Sequence, residues 1–155
     1  MPTTQECFLQ AVRERLQPRL QRLGFKESGK NYVVPSETHF AMIGLSKRRN
    51  QPRSRVVFTV HVNVVNRDAW KQLRADGQTG QHPSPNVPYG PAGWWQPIGG
   101  LLEPPRDVWW NITDERSAAS ALDEVADAIE NSVLPAMQDA IAHDRRGAGH
   151  YDYRP

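Results

Sequence analysis

Arg55-Val56-Val57-Phe58-Thr59-Val60-His61-Val62-Asn63-Val64-Val65 decides the fold. Successive side chains of a strand point to opposite faces. Val56, Phe58, Val60, Val62 and Val64 therefore share one wholly apolar face. Val57, Thr59, His61, Asn63 and Val65 share the other, which carries three polar groups. β-Branched residues dominate the stretch and suit a pleated surface. The pattern predicts a central strand, with Phe58, Val60 and Val62 buried under helices and the opposite face partly solvated.

Working upstream, Arg48–Ser54 contains Asn50 and Pro52 and reads as a hairpin tip, joined to a strand over His39–Lys47. Lys30–Val34 is a shorter strand stopped by Pro35. Residues 4–23 form an amphipathic helix, because Leu9, Val12, Leu16, Leu20 and Leu23 recur at spacings of three and four. Thr3 and Glu6 fit a capping box, in which each side chain satisfies an orphan backbone N–H. Pro18 is expected to kink this helix, and Gly24 fits the left-handed position past its end.

Downstream, Asn66 caps a short helix over Arg67–Ala75. Residues 76–93 hold four Pro and four Gly and read as a long, mobile, structureless loop. Trp94–Leu102 and Asp107–Thr113 are two further strands around Glu103-Pro104-Pro105. Asp114 caps a long helix, residues 115–143, with Leu122, Val125, Ala126, Ile129, Val133, Met137 and Ile141 as its apolar stripe and a bend expected at Pro135. Residues 144–155 lose periodicity and are expected to form a mobile tail. The fold class is α+β: an antiparallel sheet of about five strands, with long N- and C-terminal helices packed on one face. Residues 1–143 make one domain.

The 155 residues suit a single domain with a core of its own. Nineteen Lys and Arg against 17 Asp and Glu leave a net charge of +2, too small for a uniformly basic nucleic-acid binder. The single Cys7 excludes an internal disulfide and a multi-cysteine zinc site. The polar N-terminus shows no signal peptide and no apolar run is long enough to span a membrane, so the cytoplasm is the expected location.

Several stretches together carry a family resemblance: Leu23-Gly24-Phe25-Lys26 at a helix end, a Tyr32-containing strand, Leu45-Ser46-Lys47, and Val57 through Asn63. Ile98-Gly99-Gly100-Leu101, Asp107-Val108-Trp109-Trp110 and Val133-Leu134-Pro135 complete the set. In this order and spacing, over about residues 5–140, the chain resembles the bacterial family called domain of unknown function 4304. The resemblance implies a small α+β domain and assigns no activity, cofactor or catalytic residue. Gly100 stands where the family often has a basic residue.

Three candidate sites follow from residue chemistry. Trp94, Trp95, Trp109 and Trp110 fall within 17 residues, with Tyr89 just ahead. Neighbours on a strand face opposite ways, so Trp109 and Trp110 cannot both enter one core. Tyr89, Trp94, Trp95 and Trp109 are the expected partner anchors, at least one of them exposed, with Trp110 buried. The second site is the basic tip, Lys47, Arg48, Arg49, Arg53 and Arg55, within nine residues. The acidic row Glu115, Asp123, Glu124, Asp127 and Glu130 on the last helix keeps the molecule from being positive all over. The third is the polar strand face, with Thr59, His61 and Asn63 beside Ser46.

No paired carboxylates or positioned nucleophile and base mark a catalytic centre. The five His show no His-x-x-x-His spacing, and Gly99-Gly100 lacks the Lys and helix start of a phosphate loop. No metal or cofactor is expected. The leading expectation is a non-enzymatic protein-interaction domain, of immunity type by analogy. Two alternatives stand beside it: a nucleic-acid-binding accessory protein using the hairpin 47–55, and a small-ligand binder or enzyme using the polar sheet face.

Overall fold

A computed structural model of the chain describes residues 1–148. Helix α1, residues 4–22, runs as α-helical Thr4–Ala11, a π-helical turn Val12–Leu16 and α-helical Gln17–Arg22. Thr3 caps it: its Oγ1 accepts from the Glu6 amide and donates to Glu6 Oε1, both at 3.1 Å. The Glu6 carboxylate thus meets the Thr3 hydroxyl. Pro18 enters the helix just after the π turn, where the Gln17 N–H bonds to the Val12 carbonyl five residues back. A proline ring crowds the carbonyl four residues back and offers no N–H, and the wider turn relieves that register. The helix closes at Gly24, at φ +98°. Phe25 N–H reaches Leu20 O at 2.9 Å and Gly24 N–H reaches Gln21 O at 3.1 Å, the paired bonds of a Schellman end.

Strands β1 (Lys26–Ser28), β2 (Asn31–Val34), β3 (His39–Lys47) and β4 (Val56–Asn66) follow as antiparallel neighbours. Helix α2 (Arg67–Ala75) starts at Asn66, whose Oδ1 accepts from the Ala69 amide at 2.9 Å. After the long loop come β5 (Gly93–Pro97) and β6 (Trp110–Ile112). Helix α3, residues 115–142, runs as Glu115–Ala128, a π-helical turn Ile129–Val133 and Leu134–Ala142, with Pro135 again just past the π turn. Asp114 and Ser117 cap its start reciprocally. A two-residue β7 (Gly147–Ala148) ends the described chain.

Among the described residues the sheet has seven strands, in the order β1-β2-β3-β4-β5-β7, with β6 also on β4. All pairs are antiparallel except β5 with β7. β4 is the hub. One edge pairs with β3 from His39↔Asn66 to Lys47↔Phe58. The other edge is shared end to end: β5 takes His61–Val65 and β6 takes Val56–Phe58. The expected strands 94–102 and 107–113 are shorter than their sequence pattern. Trp94–Leu102 breaks into a 3-10 turn at Ile98–Leu101, and only Trp110–Ile112 pairs in the second. The reason is the space between β5 and β6. Arg106 N–H bonds to Gly99 O at 2.9 Å, and a Cβ on Gly99 would lie 1.7 Å from Arg106 O. Only glycine lets those backbones cross.

Phe58, Val60, Val62 and Val64 of β4 are buried, at 1% exposure or less. They share one cluster with Phe8, Leu16 and Leu20 of α1 and Leu122, Val125, Ile129, Val133 and Met137 of α3. Each such side chain contributes about 1.5–3 kcal/mol by leaving water. A second, smaller cluster gathers Met42, Val65 and Trp70, with Val33, Phe40, Leu73 and Tyr89 against it. It lies on the alternate residues of β3 and β4, so the face expected to be partly solvated is covered by α2 and the 76–93 loop. No helix among the described residues is long and apolar enough to cross a membrane.

Residues 144–148, placed in the expected tail, are held. Asp144 accepts from Asn66 Nδ2 at 3.2 Å and lies 2.7 Å from His39 Nε2, and β7 pairs with β5. The Arg146 guanidinium, followed by His39 and Asn66, holds the Asp144 carboxyl well below the usual range, at about 2. The rest of that tail lies outside the described residues.

Candidate functional site

The polar strand face turns out to be spent internally. Thr59 Oγ1 donates to Val108 O at 2.7 Å, which seals the gap between β5 and β6. Asn63 is fully buried, and its Nδ2 donates to Ser84 O at 2.9 Å and Val87 O at 2.8 Å. His61 Nδ1 meets Asn86 Oδ1 at 3.0 Å. Burial pushes the His61 pKa down, since desolvation disfavours the imidazolium; the Asn86 bond acts the other way. Ser46 is half-buried opposite Thr59. Far from lining an open ligand face, this row clasps the 76–93 loop.

The aromatics help in the same task. Trp95 Nε1 donates to Pro85 O at 3.2 Å, and its ring lies 5.2 Å from that of His61. Trp70 Nε1 donates to Gln81 O at 3.2 Å, and its ring meets the edge of Tyr89 at 4.9 Å. The Tyr89 hydroxyl accepts from the Ser84 amide at 2.7 Å. Gly44 completes the seat: a Cβ there would stand 2.7 Å from Pro85 Cγ. The loop has little regular structure, yet side chains pin it along its middle.

Tyr89, Trp94, Trp95 and Trp109 are each half-buried, so none is the freely exposed anchor expected. Trp94 faces the helix side, in register with Val64. Trp110, expected to be buried, is half-buried as well. Its ring stacks on Phe58 at 5.6 Å while its indole N–H reaches outward to Glu124 Oε2 at 2.9 Å. Satisfying that N–H keeps the ring at the sheet margin.

The basic tip differs from all of these. Lys47, Arg48, Arg49, Arg53 and Arg55 are exposed, and among the described residues no carboxylate lies within ion-pair distance of any of them. The acidic row on α3 is, by contrast, partly matched: Arg15 pairs with Asp123 at 3.2 Å, and Arg19 with Asp127 at 2.7 Å and Glu130 at 3.5 Å. Helix-to-helix pairing absorbs negative charge and leaves the hairpin cations free.

A cleft of about 700 Å3 separates the tip from residues 2–5 at the start of α1. Lys47, Arg48, Arg53 and Arg55 line it, and no Asp or Glu does. Arg48 also lays its guanidinium over the Trp109 ring, 4.2 Å from the centroid, and Trp109 Nε1 donates to Asp107 Oδ1 at 3.1 Å. One sequence candidate, Trp109, thus joins another, the basic hairpin. The second wall of the cleft, Thr3 to Gln5, carries no chemical signal in the sequence, because only packing of α1 against β4 brings it there.

A hydroxyl–imidazole–carboxylate chain also emerges: Thr38 Oγ1 lies 2.8 Å from His39 Nδ1, and His39 Nε2 lies 2.7 Å from Asp144. His39 is 4% exposed with both nitrogens engaged, which suits a tie between β3 and the chain after α3. Among the described residues no three His, Cys, Asp or Glu side chains group to hold a metal ion.

No curated protein matches the chain, and no solved structure does. A family model matches residues 16–139, which cover the end of α1, nearly all of α3 and strands β1 to β6. The chain therefore belongs to the family described as Domain of unknown function (DUF4304).

Proposed function

We propose that this chain is a non-enzymatic accessory domain that binds nucleic acid through the hairpin 47–55. The observation that carries the reading is the set of five exposed cations without a carboxylate partner among the described residues, four of them lining one cleft free of acidic groups. Phosphate backbones reward such a cluster, because each neutralised phosphate releases counterions. Arginine, four of the five, also offers a planar fork that matches phosphate oxygens. The modest net charge fits a local patch set apart from an acidic helix.

Binding to a protein through aromatic anchors has less support. Tyr89, Trp95, Trp109 and Trp110 have their polar atoms engaged within the chain. Met1, Leu9 and Val87 are the large hydrophobics exposed among the described residues, too scattered for an apolar docking patch. A ligand site on the polar sheet face has less support still, since the loop occupies it. A cytoplasmic setting belongs to the same reading, in which the partner is nucleic acid.

Fluorescence anisotropy with labelled DNA and RNA, single-stranded and duplex, tests the proposal at about 50 mM salt and upward. Affinity is expected to fall steeply with salt. Changing Lys47, Arg53 and Arg55 together to Ala is expected to flatten the log–log slope by about two, at roughly 0.7–0.9 per lost phosphate contact. No binding to any of the four probes at low salt overturns the proposal.

A further inference from the structure

Resting on that reading, the geometry points to a single strand as the form of nucleic acid bound, with phosphates against Lys47, Arg53 and Arg55 and a base stacked on the Arg48–Trp109 pair. The cleft and the stacking pair beside it together decide the form. Its cations do not stand on a freely projecting finger, because residues 2–5 wall the other side and leave about 700 Å3 between. That is the size of a small-molecule pocket. A duplex can offer these cations its phosphates, but its bases stay stacked inside the helix.

Arg48 supplies the second element. Its guanidinium lies over the Trp109 indole, 4.2 Å from the ring centroid, and the Trp109 N–H bond to Asp107 fixes the ring beneath. The free face of the guanidinium is a preformed planar cation beside the cleft that the same residue lines. Unstacked bases pack on aromatic rings and on guanidinium planes, and a base in a duplex has no free face to offer. Cationic groove plus stacking platform is the common solution for single strands.

The test uses the full chain and labelled oligonucleotides of about 12 nucleotides, a length within the usual site sizes. The single strand is expected to bind at least about tenfold more tightly than a duplex of the same sequence. Arg48→Lys keeps the charge and loses the plane. It is expected to weaken single-strand binding about fivefold or more, with the salt slope unchanged. Arg53→Gln is expected to lower the slope by about 0.7. Unchanged thermal melting of both variants shows that the fold is intact. A duplex bound as tightly as the strand, or Arg48→Lys binding like the parent, overturns this inference and leaves the phosphate reading standing. No binding to either probe overturns both.

Discussion

Asn63 and Arg53 belong to one β-hairpin, and their side chains meet opposite fates. Asn63 sits at the sheet's centre, fully buried, and donates to two loop carbonyls. Arg53 sits at the tip, exposed, with no carboxylate partner among the described residues. Both are polar residues in a strand-rich stretch, and sequence pattern treats both as candidate sites. The difference teaches that a polar side chain becomes available to a partner only where the fold leaves it open to solvent. At the sheet centre a buried amide donor without a partner costs about 1–3 kcal/mol, so the 76–93 loop supplies two carbonyls for the Asn63 Nδ2, while its Oδ1 stays buried without a partner. At the tip water solvates the guanidinium at little cost, and nothing in the fold has to answer it.

Val60→Asp places a charge at 1% exposure between β4 and the helices. An unpaired buried carboxylate costs more than most of the roughly 5–15 kcal/mol that a domain holds. The expected outcome is loss of the cooperative thermal transition by circular dichroism. Melting like that of the parent would mean that the centre of the sheet is not sealed.

Asn63→Ala is the next step down. It leaves Ser84 O and Val87 O without their donor and is expected to cost about 2–3 kcal/mol in chemical denaturation. Amide exchange should rise locally over residues 84–89, because the clasp is released while the helix-side core is intact. Exchange unchanged in that segment would show that the loop is held by something else.

His61 gives a smaller, pH-dependent effect. Its pKa is lowered in the folded protein by burial, so the unfolded chain, near 6.5, takes up the proton first. The stability that this group contributes is full above pH 6.5 and is lost as pH falls below it. Melting temperature should therefore drop from about pH 7 to pH 5, and His61→Asn should flatten that part of the profile. Asp144 acts at lower pH by the same sign. Its carboxyl is held at about 2, so its contribution is lost between about pH 4 and pH 2.

The smallest stability effect is expected at the tip. Arg49→Ala with Arg53→Ala should change unfolding free energy by no more than about 0.5 kcal/mol, while nucleic-acid binding weakens. A large loss of stability there would mean that those cations serve the fold, and the contrast with Asn63 would fail.

What the chain reveals by itself is what neighbours along it decide. The alternation from Val56 to Val65, the left-handed close at Gly24, the caps Thr3, Asn66 and Asp114 and the stripe of the last helix follow from local geometry and period, and all are present in the fold; on the first helix Val12, Leu16 and Leu20 are buried as the period predicts, but Leu9 is exposed and Phe8 enters the core instead. The five exposed cations at 47–55 are legible for the same reason: a short hairpin tip in water keeps its own chemistry. Tertiary structure alone decided the rest. Trp94–Leu102 reads as strand until Gly99 has to pass Arg106 O. Thr59 and Asn63 read as an open polar face until the loop supplies carbonyls for them. Asp144 reads as the start of a tail until His39 and Asn66 reach it across the sheet. Each of these depends on a backbone or side-chain partner far away in sequence, and period and propensity carry no record of which distant group will arrive.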